Sequence, residues 1–142
     1  MSAPATEAPL DPMAAPSIRV PPPGPRSREL LARLSAAAYP GTASEVAPFV
    51  IGRKRGWAVE DVDGNIYLDM ISGSASVPLG ACRDDLIDPV VEALRRYGNE
   101  DSHSLASELM VQLAEELLAV APSSLTRVDI ALNVTEAVEI AL

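Results

Sequence analysis

The chain has 142 residues, a formal net charge of −9 and 48% apolar residues, which is enough for one modest acidic domain and no more. One cysteine, Cys82, excludes an intrachain disulfide framework; one histidine, His103, leaves no His pair to hold zinc; the acidic balance argues against wholesale nucleic-acid binding. No apolar run approaches the roughly 20 residues that span a bilayer, and the N-terminus lacks the basic start and unbroken apolar core of a secretory signal, so a soluble, cytoplasmic protein is expected.

Ten of the thirteen prolines fall in residues 1–48. Residues 1–26, rich in Ala and Pro with few large apolar side chains, predict a disordered arm, because they bury too little surface to offset the entropy of ordering. Charge divides along the same line: residues 1–56 carry seven basic and four acidic groups, residues 57–142 four and sixteen, so the acidity belongs to the body. Ser27 as a cap predicts a short helix through Ala38, with Leu30, Leu31 and Leu34 on one side and Pro40-Gly41 as its stop. Trp57 to Val62, then Asp63-Gly64-Asn65, then Ile66 to Met70 is two β-prone runs around a strong turn signal, a β-hairpin.

Ser72-Gly73-Ser74 to Gly80 reads as loop. Asp88-Pro89 suits a helix start, with Val90, Val91, Leu94 and Tyr97 facing inward and Gly98 closing it. Ser104 to Val120 carries Leu105, Leu109, Leu113, Leu117 and Val120 at helical spacing, an amphipathic helix followed by Pro122. Arg127 to Leu132 reads as a strand, and Asn133-Val134-Thr135 leads into a helix over Glu136 to Leu142. A strand between helices calls for further parallel strands, and the last helix carries apolar residues with nothing to cover them. The expectation is a truncated α/β domain, poorly soluble alone because of its unpaired strand edge and bare apolar faces.

Strand, short polar turn and helix together present unpaired backbone N–H groups and the positive end of a helix dipole to an anion. Asn133, Val134 and Thr135 occupy that turn; Thr135 adds a hydroxyl donor, while Asn133 and Thr135 can equally cap the helix and bind nothing. The remaining single residues have structural explanations. Asp101, Ser102 and His103 are too close in sequence to form a catalytic trio. Cys82 lies in a loop without a base or metal partner, and Asp84, Asp85 and Asp88 complement a helix dipole rather than bind metal. Arg53-Lys54-Arg55 reads as an exposed basic turn. Catalytic residues and metal ligands are therefore not assigned.

Val59-Glu-Asp-Val-Asp-Gly-Asn-Ile-Tyr-Leu-Asp69, Ser72-Gly73, Leu79-Gly80, Leu113-Ala-Glu-Glu-Leu-Leu118, Pro122 and Thr135-Glu-Ala-Val-Glu139 follow in order and spacing. Over about residues 45–142 this set resembles the class III pyridoxal-phosphate-dependent aminotransferases. The resemblance implies the N-terminal part of a fold-type I α/β transferase. Residues 27–70 would be a helix and hairpin of the small domain, and residues 71–142 the start of the large cofactor-binding domain. It implies a homodimer that transfers an amino group from an amino acid or ω-amine to a 2-oxo acid, with pyridoxal 5'-phosphate as cofactor. By position, Asn133, Val134 and Thr135 become the turn that holds the cofactor phosphate, and Ser72 and Gly73 a substrate-side loop. Val134 stands where the family usually places glycine, and a β-branched residue resists the positive φ that glycine allows. The chemistry requires a Schiff-base lysine, the only lysine here is Lys54, and the resemblance places the reactive lysine beyond residue 142, so this chain alone is expected to be inactive. Two other readings stand beside it: a non-catalytic pseudo-enzyme or interaction module that exposes the Ser104–Val120 helix, and a carrier protein modified at Ser102.

Overall fold

The computed structural model describes residues 8–39, 47–98 and 105–142 and divides the chain into two compact units, Met1–Glu92 and Ala93–Leu142. In the first unit, helix α1 (Pro25–Ala37) precedes a three-stranded antiparallel sheet of β1 (Ile51–Arg55), β2 (Ala58–Asp61) and β3 (Ile66–Leu68), in that order. Helix α2 (Asp84–Tyr97) begins there, and α3 (Glu108–Val120) and α4 (Val134–Ala141) belong to the second unit.

The hairpin forms where its turn residues place it: β2 and β3 pair Ala58 with Leu68, Val59 with Tyr67 and Glu60 with Ile66, and Gly64 takes a φ of 84° that favours glycine. Its turn is fastened by Asp61, which is only 3% exposed. Asp61 Oδ1 accepts the N–H groups of Asp63 and Asn65 at 2.9 and 2.8 Å, and Oδ2 accepts Asn65 Nδ2 and the Tyr67 hydroxyl, each at 2.8 Å. Four donors converging on one carboxylate offset the cost of burying it. Burial, and then the hydrogen bond to Asp61, push the Tyr67 hydroxyl up to about 12, and its ring stacks on Phe49 with centroids 4.5 Å apart.

Arg53-Lys54-Arg55 lies in strand β1, not in an exposed turn. Opposite charges from three neighbouring segments make this basic run compatible with a ladder. Arg53 faces and pairs with Glu60, Lys54 Nζ lies 3.3 Å from Asp69 Oδ2, and Arg55 Nη2 lies 3.0 Å from Asp84 Oδ2.

Residues 8–24 depart from the expected disorder. Leu10 is buried with Ala58 and Ile66 in the core of the unit. Ser17 and Ile66 exchange two backbone hydrogen bonds of 2.8 Å along the outer edge of β3, and Asn65 Oδ1 accepts the N–H groups of Arg19 and Val20 at 2.8 and 2.9 Å. Apolar burial alone would not order such a segment; backbone pairing to an open strand edge and one well-placed leucine do. Residues 1–7 lie outside the described residues, as do Pro40, Gly41, Asp101, Ser102, His103 and Ser104.

Helix α1 begins at Pro25, with Gly24 as its N-cap and no capping side chain of its own. The cap comes from the hairpin turn: Asp63 Oδ1 accepts the N–H of Arg26 at 2.8 Å and Oδ2 that of Ser27 at 2.9 Å. Ser27, expected as the cap, is fully buried, and its hydroxyl accepts the N–H of Val50 at 3.3 Å. The first turn holds Arg26 and Arg28, the wrong sign for a helix N-terminus, and the Asp63 carboxylate corrects it. Burial alone would raise the Asp63 carboxyl; the hydrogen bonds from Ser27 and Arg26 and the charge of Arg28 together carry it below its ordinary 3.8. A carboxyl depressed on folding adds stability that is complete above its unfolded pKa and is lost as pH falls through the lower folded value. We therefore expect the urea midpoint followed by Trp57 fluorescence to hold from pH 7 to about 5 and to drop below about 4. A midpoint that is constant down to pH 3 would remove Asp63 as the cap.

Helix α2 starts at Asp84, one turn before the expected start, and carries Pro89 inside it. Asp84 and Asp85 complement the dipole, while Pro89, the sixth residue of the helix, removes the bond that its N–H would have made to the Asp85 carbonyl. Val90 and Leu94, expected to face inward, are 58% and 59% exposed. Helix α3 begins later than expected, after Leu105 and Ala106, with Ser107 as its N-cap: the Ser107 side chain accepts the N–H of Met110. Leu109, Leu113 and Leu117 form an exposed stripe on α3. Arg127 to Leu132 carries no strand; a ladder needs a neighbour, and none is present among the described residues. No helix of the described residues is long and apolar enough to cross a membrane.

Candidate functional site

The loop after β3 is built back onto the sheet. Gly56 and Ala81 exchange two backbone hydrogen bonds of 2.8 and 2.9 Å, and Gly80, with φ 97°, passes so close that a Cβ there would lie 3.2 Å from Gly56 Cα. Between the strand and this return lies a cavity of about 380 Å³, lined by Trp57, Asp69, Ser72, Val77, Leu79 and Arg83 among others. Of the expected substrate-side pair, Ser72 lines this cavity, and Gly73 follows it in the same turn.

That turn is wound left-handed. Ser72, Gly73, Ser74 and Ala75 have φ values of 51°, 60°, 59° and 63°, and Ala75 N–H bonds to the Ile71 carbonyl at 2.9 Å, as in one helical turn. For L-residues this hand costs about 1–2 kcal/mol each, so the turn persists only where its surroundings over-determine it. Asp69 provides the grip. Its Oδ1 accepts the N–H groups of Ile71 and Ser72 at 3.0 and 2.8 Å, and its Oδ2 faces the Lys54 ammonium. Burial would raise the Asp69 carboxyl, but the bonds from Ile71, Lys54 and Ser72 outweigh it and hold it below the ordinary range. Asp69, Trp57 and Arg83 escaped the sequence reading. An Asp followed two and three residues later by unpaired N–H groups was the available signal for Asp69.

Arg83 is committed to Asp85 through a pair of hydrogen bonds of 3.0 and 2.6 Å. This contact is the first cause that raises the guanidinium and lowers the Asp85 carboxyl. Asp84 and Asp85 thus serve α2 and two arginines, and among the described residues no cluster of His, Cys, Asp and Glu could hold a metal ion. Cys82, exposed and with φ 53°, is a free thiol.

The second expected site lies in the other unit. Asn133 is the N-cap of α4, with φ −155°, and its side chain accepts the N–H of Glu136 at 2.9 Å, while Glu136 reaches back to the N–H of Leu132 at 2.8 Å. The two bonds form a variant of the capping box. Val134 and Thr135 are the first two helical residues, so the turn expected at Asn133, Val134 and Thr135 is a helix start. Val134 does not have positive φ, and the conformational objection to a β-branched residue there disappears. The N–H groups of Val134 and Thr135 have no acceptor within the helix and lie at its positive end, a donor set that suits a phosphate. Asn133 and Val134 line a groove of about 520 Å³ with Asp129, Ala137 and Ile140. Because Val134 is helical, Val134→Gly is expected to weaken α4 slightly, by roughly 0.3 kcal/mol. Loss of helical signal for residues 134–141, read from Cα chemical shifts, would show it; a gain would restore the strain argument.

A family model of class-III aminotransferases matches residues 39–142. The chain is 32% identical over 127 residues to an alanine/serine racemase of Pyrococcus horikoshii, covering 89% of this chain and 27% of that protein. It is 37% identical over 95 residues to an acetylornithine aminotransferase of Mycobacterium leprae, covering 66% of this chain and 23% of that protein. An ornithine delta-aminotransferase structure from Plasmodium falciparum superposes with a TM-score of 0.71 at 20% identity, over 81% of this chain and 28% of that one, a likeness of fold. The chain thus spans about a quarter of the length of the curated relatives it matches.

Proposed function

We propose a function from the premise that this chain belongs to the class-III aminotransferase family: it supplies the hairpin segment and the phosphate-binding helix start of an enzyme that moves an amino group from an amino acid or ω-amine to a 2-oxo acid. The observation that carries this reading is the family match over residues 39–142, which takes in both candidate sites. The family depends on pyridoxal phosphate, which when bound supplies an electron sink for bonds at the carbon that bears the amino group.

In this reading the N–H groups of Val134 and Thr135, with the Thr135 hydroxyl and the α4 dipole, hold the cofactor phosphate, and Asn133 fixes the helix start that aims them. Ser72 and Gly73 shape the substrate side of the cavity beside Trp57. Lys54 is not assigned as the reactive lysine, because its ammonium is paired with Asp69. The amino group leaves the donor, which departs as a carbonyl compound, and arrives on the 2-oxo acid, which departs as an amino acid. The working protein is read as a cytoplasmic homodimer.

A second reading is favoured by the similarity to the racemase over 127 residues: inversion at the α-carbon of a small amino acid, with no oxo acid consumed. One experiment separates them. The full product of the gene is incubated with pyridoxal phosphate and alanine, ornithine or 4-aminobutyrate, with and without pyruvate or 2-oxoglutarate, in deuterated water. Amino transfer to the oxo acid is the expected result. Deuterium at the α-carbon of alanine with loss of chirality and no need for an oxo acid supports racemisation, and neither product from any donor defeats both readings.

A further inference from the structure

The left-handed turn Ser72–Ala75 meets the cavity through Ser72, and on its N-terminal side it is held from one point. Ser72 and Val77, which line the cavity, are joined by a hydrogen bond of 3.0 Å from the Val77 N–H to the Ser72 carbonyl, so they move as a unit with the turn. The Ser76 hydroxyl closes on the Gly73 carbonyl at 2.6 Å. All of these bonds lie within the turn. On its N-terminal side the contacts that tie it to the sheet run through Asp69: the Asp69 N–H to the Trp57 carbonyl at 2.8 Å, the carboxylate to the N–H groups of Ile71 and Ser72, and the ion pair to Lys54 on β1; on its C-terminal side the loop returns to the sheet only beyond Val77, where Ala81 pairs with Gly56. Three non-glycine residues in the left-handed region are poised to relax once that grip is released.

We propose that Asp69, backed by Lys54, is the positioning residue that sets the wall of this cavity, and that the Ser72–Ala75 turn is a two-state element whose left-handed form presents Ser72 to the cavity. A ligand that contacts Ser72 in this form shifts the population toward it, and one that fills the cavity without that contact does not. The consequence for substrate choice rests on the reading of Ser72 and Gly73 as substrate-side residues. The turn itself does not, and its test needs neither cofactor nor substrate, so a chain without amino-transfer activity still decides it.

The test is amide hydrogen exchange on the whole chain, read at Ala75 and Val77, with Ser17 and Ile66 as references on the arm-to-hairpin bridge. In Asp69→Ala the first two amides are expected to exchange about tenfold faster while the references stay within about twofold. Asp69→Asn keeps an oxygen for the two N–H groups but loses the charge, so it is expected to rescue most of the protection, with exchange about threefold faster. Unchanged exchange at Ala75 and Val77 in Asp69→Ala overturns the proposal. If that variant loses the references as well, Asp69→Asn and Lys54→Met decide: acceleration confined to the turn supports the proposal, and no acceleration in either overturns it.

Discussion

Asp61→Ala is expected to unfold most of the first unit, at a cost of about 3–5 kcal/mol. The carboxylate removed takes four hydrogen bonds, and two of its donors belong to Asn65, which is itself fully buried. Alanine offers none of these acceptors, and a buried donor left unpaired costs more than the bond it once made was worth. The loss also spreads. Asn65, once free to turn, no longer aims its Oδ1 at the N–H groups of Arg19 and Val20, and the arm loses its second attachment beside the Ser17 and Ile66 pair. The apolar core that remains, Leu10, Ala58 and Ile66, is small against a typical stability of about 5–15 kcal/mol. Urea unfolding followed by Trp57, the single tryptophan, measures the effect, and proteolysis after Arg19 reports release of the arm. Asp61→Asn retains an oxygen for the backbone donors but sets an NH₂ against Asn65 Nδ2, so a loss of about 1–2 kcal/mol is expected. An alanine variant whose midpoint shifts by less than about 1 kcal/mol would show that water replaces the carboxylate.

The contrast between the hairpin and its surroundings shows what a sequence displays. Asp63-Gly64-Asn65 announces a turn because local chemistry alone decides it, and β2 and β3 form on either side. Strand β1 is invisible for the opposite reason: Arg53, Lys54 and Arg55 become acceptable in a ladder only once Glu60, Asp69 and Asp84 stand opposite. The arm is the same case, since its order depends on the β3 edge and on Asn65. At the candidate sites, Ser72 and Asn133 were legible as residues of a loop and a helix start. The left-handed hand of the first and the helical φ of Val134 were not, because a residue type states a preference and the surrounding bonds decide the outcome. Asp63 sharpens the point: composition marks it as a turn residue, while its larger duty is to cap a helix some 36 residues away in sequence.

That duty makes Gly24→Ala the other severe substitution, with an expected cost of about 2–3 kcal/mol. A Cβ on Gly24 would lie 2.1 Å from Asp63 Cγ and 2.5 Å from its Cβ and Oδ1. Those atoms cannot simply swing aside, because the carboxylate is held by the N–H groups of Arg26 and Ser27. Making room means abandoning the cap, and a helix start with Arg26 and Arg28 in its first turn then faces its own dipole without a counter-charge. The backbone is not the obstacle: Gly24 has φ −67° and ψ 171°, which alanine adopts freely, so the whole effect belongs to the contact with Asp63. A double-mutant cycle isolates it. Asp63→Ala alone removes the cap and should lower the urea midpoint too, and Gly24→Ala added to it should lower it little further, since the carboxylate it strikes is gone. Additive losses in urea midpoints would mean that the two residues act separately and that the crowding at Gly24 is relieved without disturbing the cap.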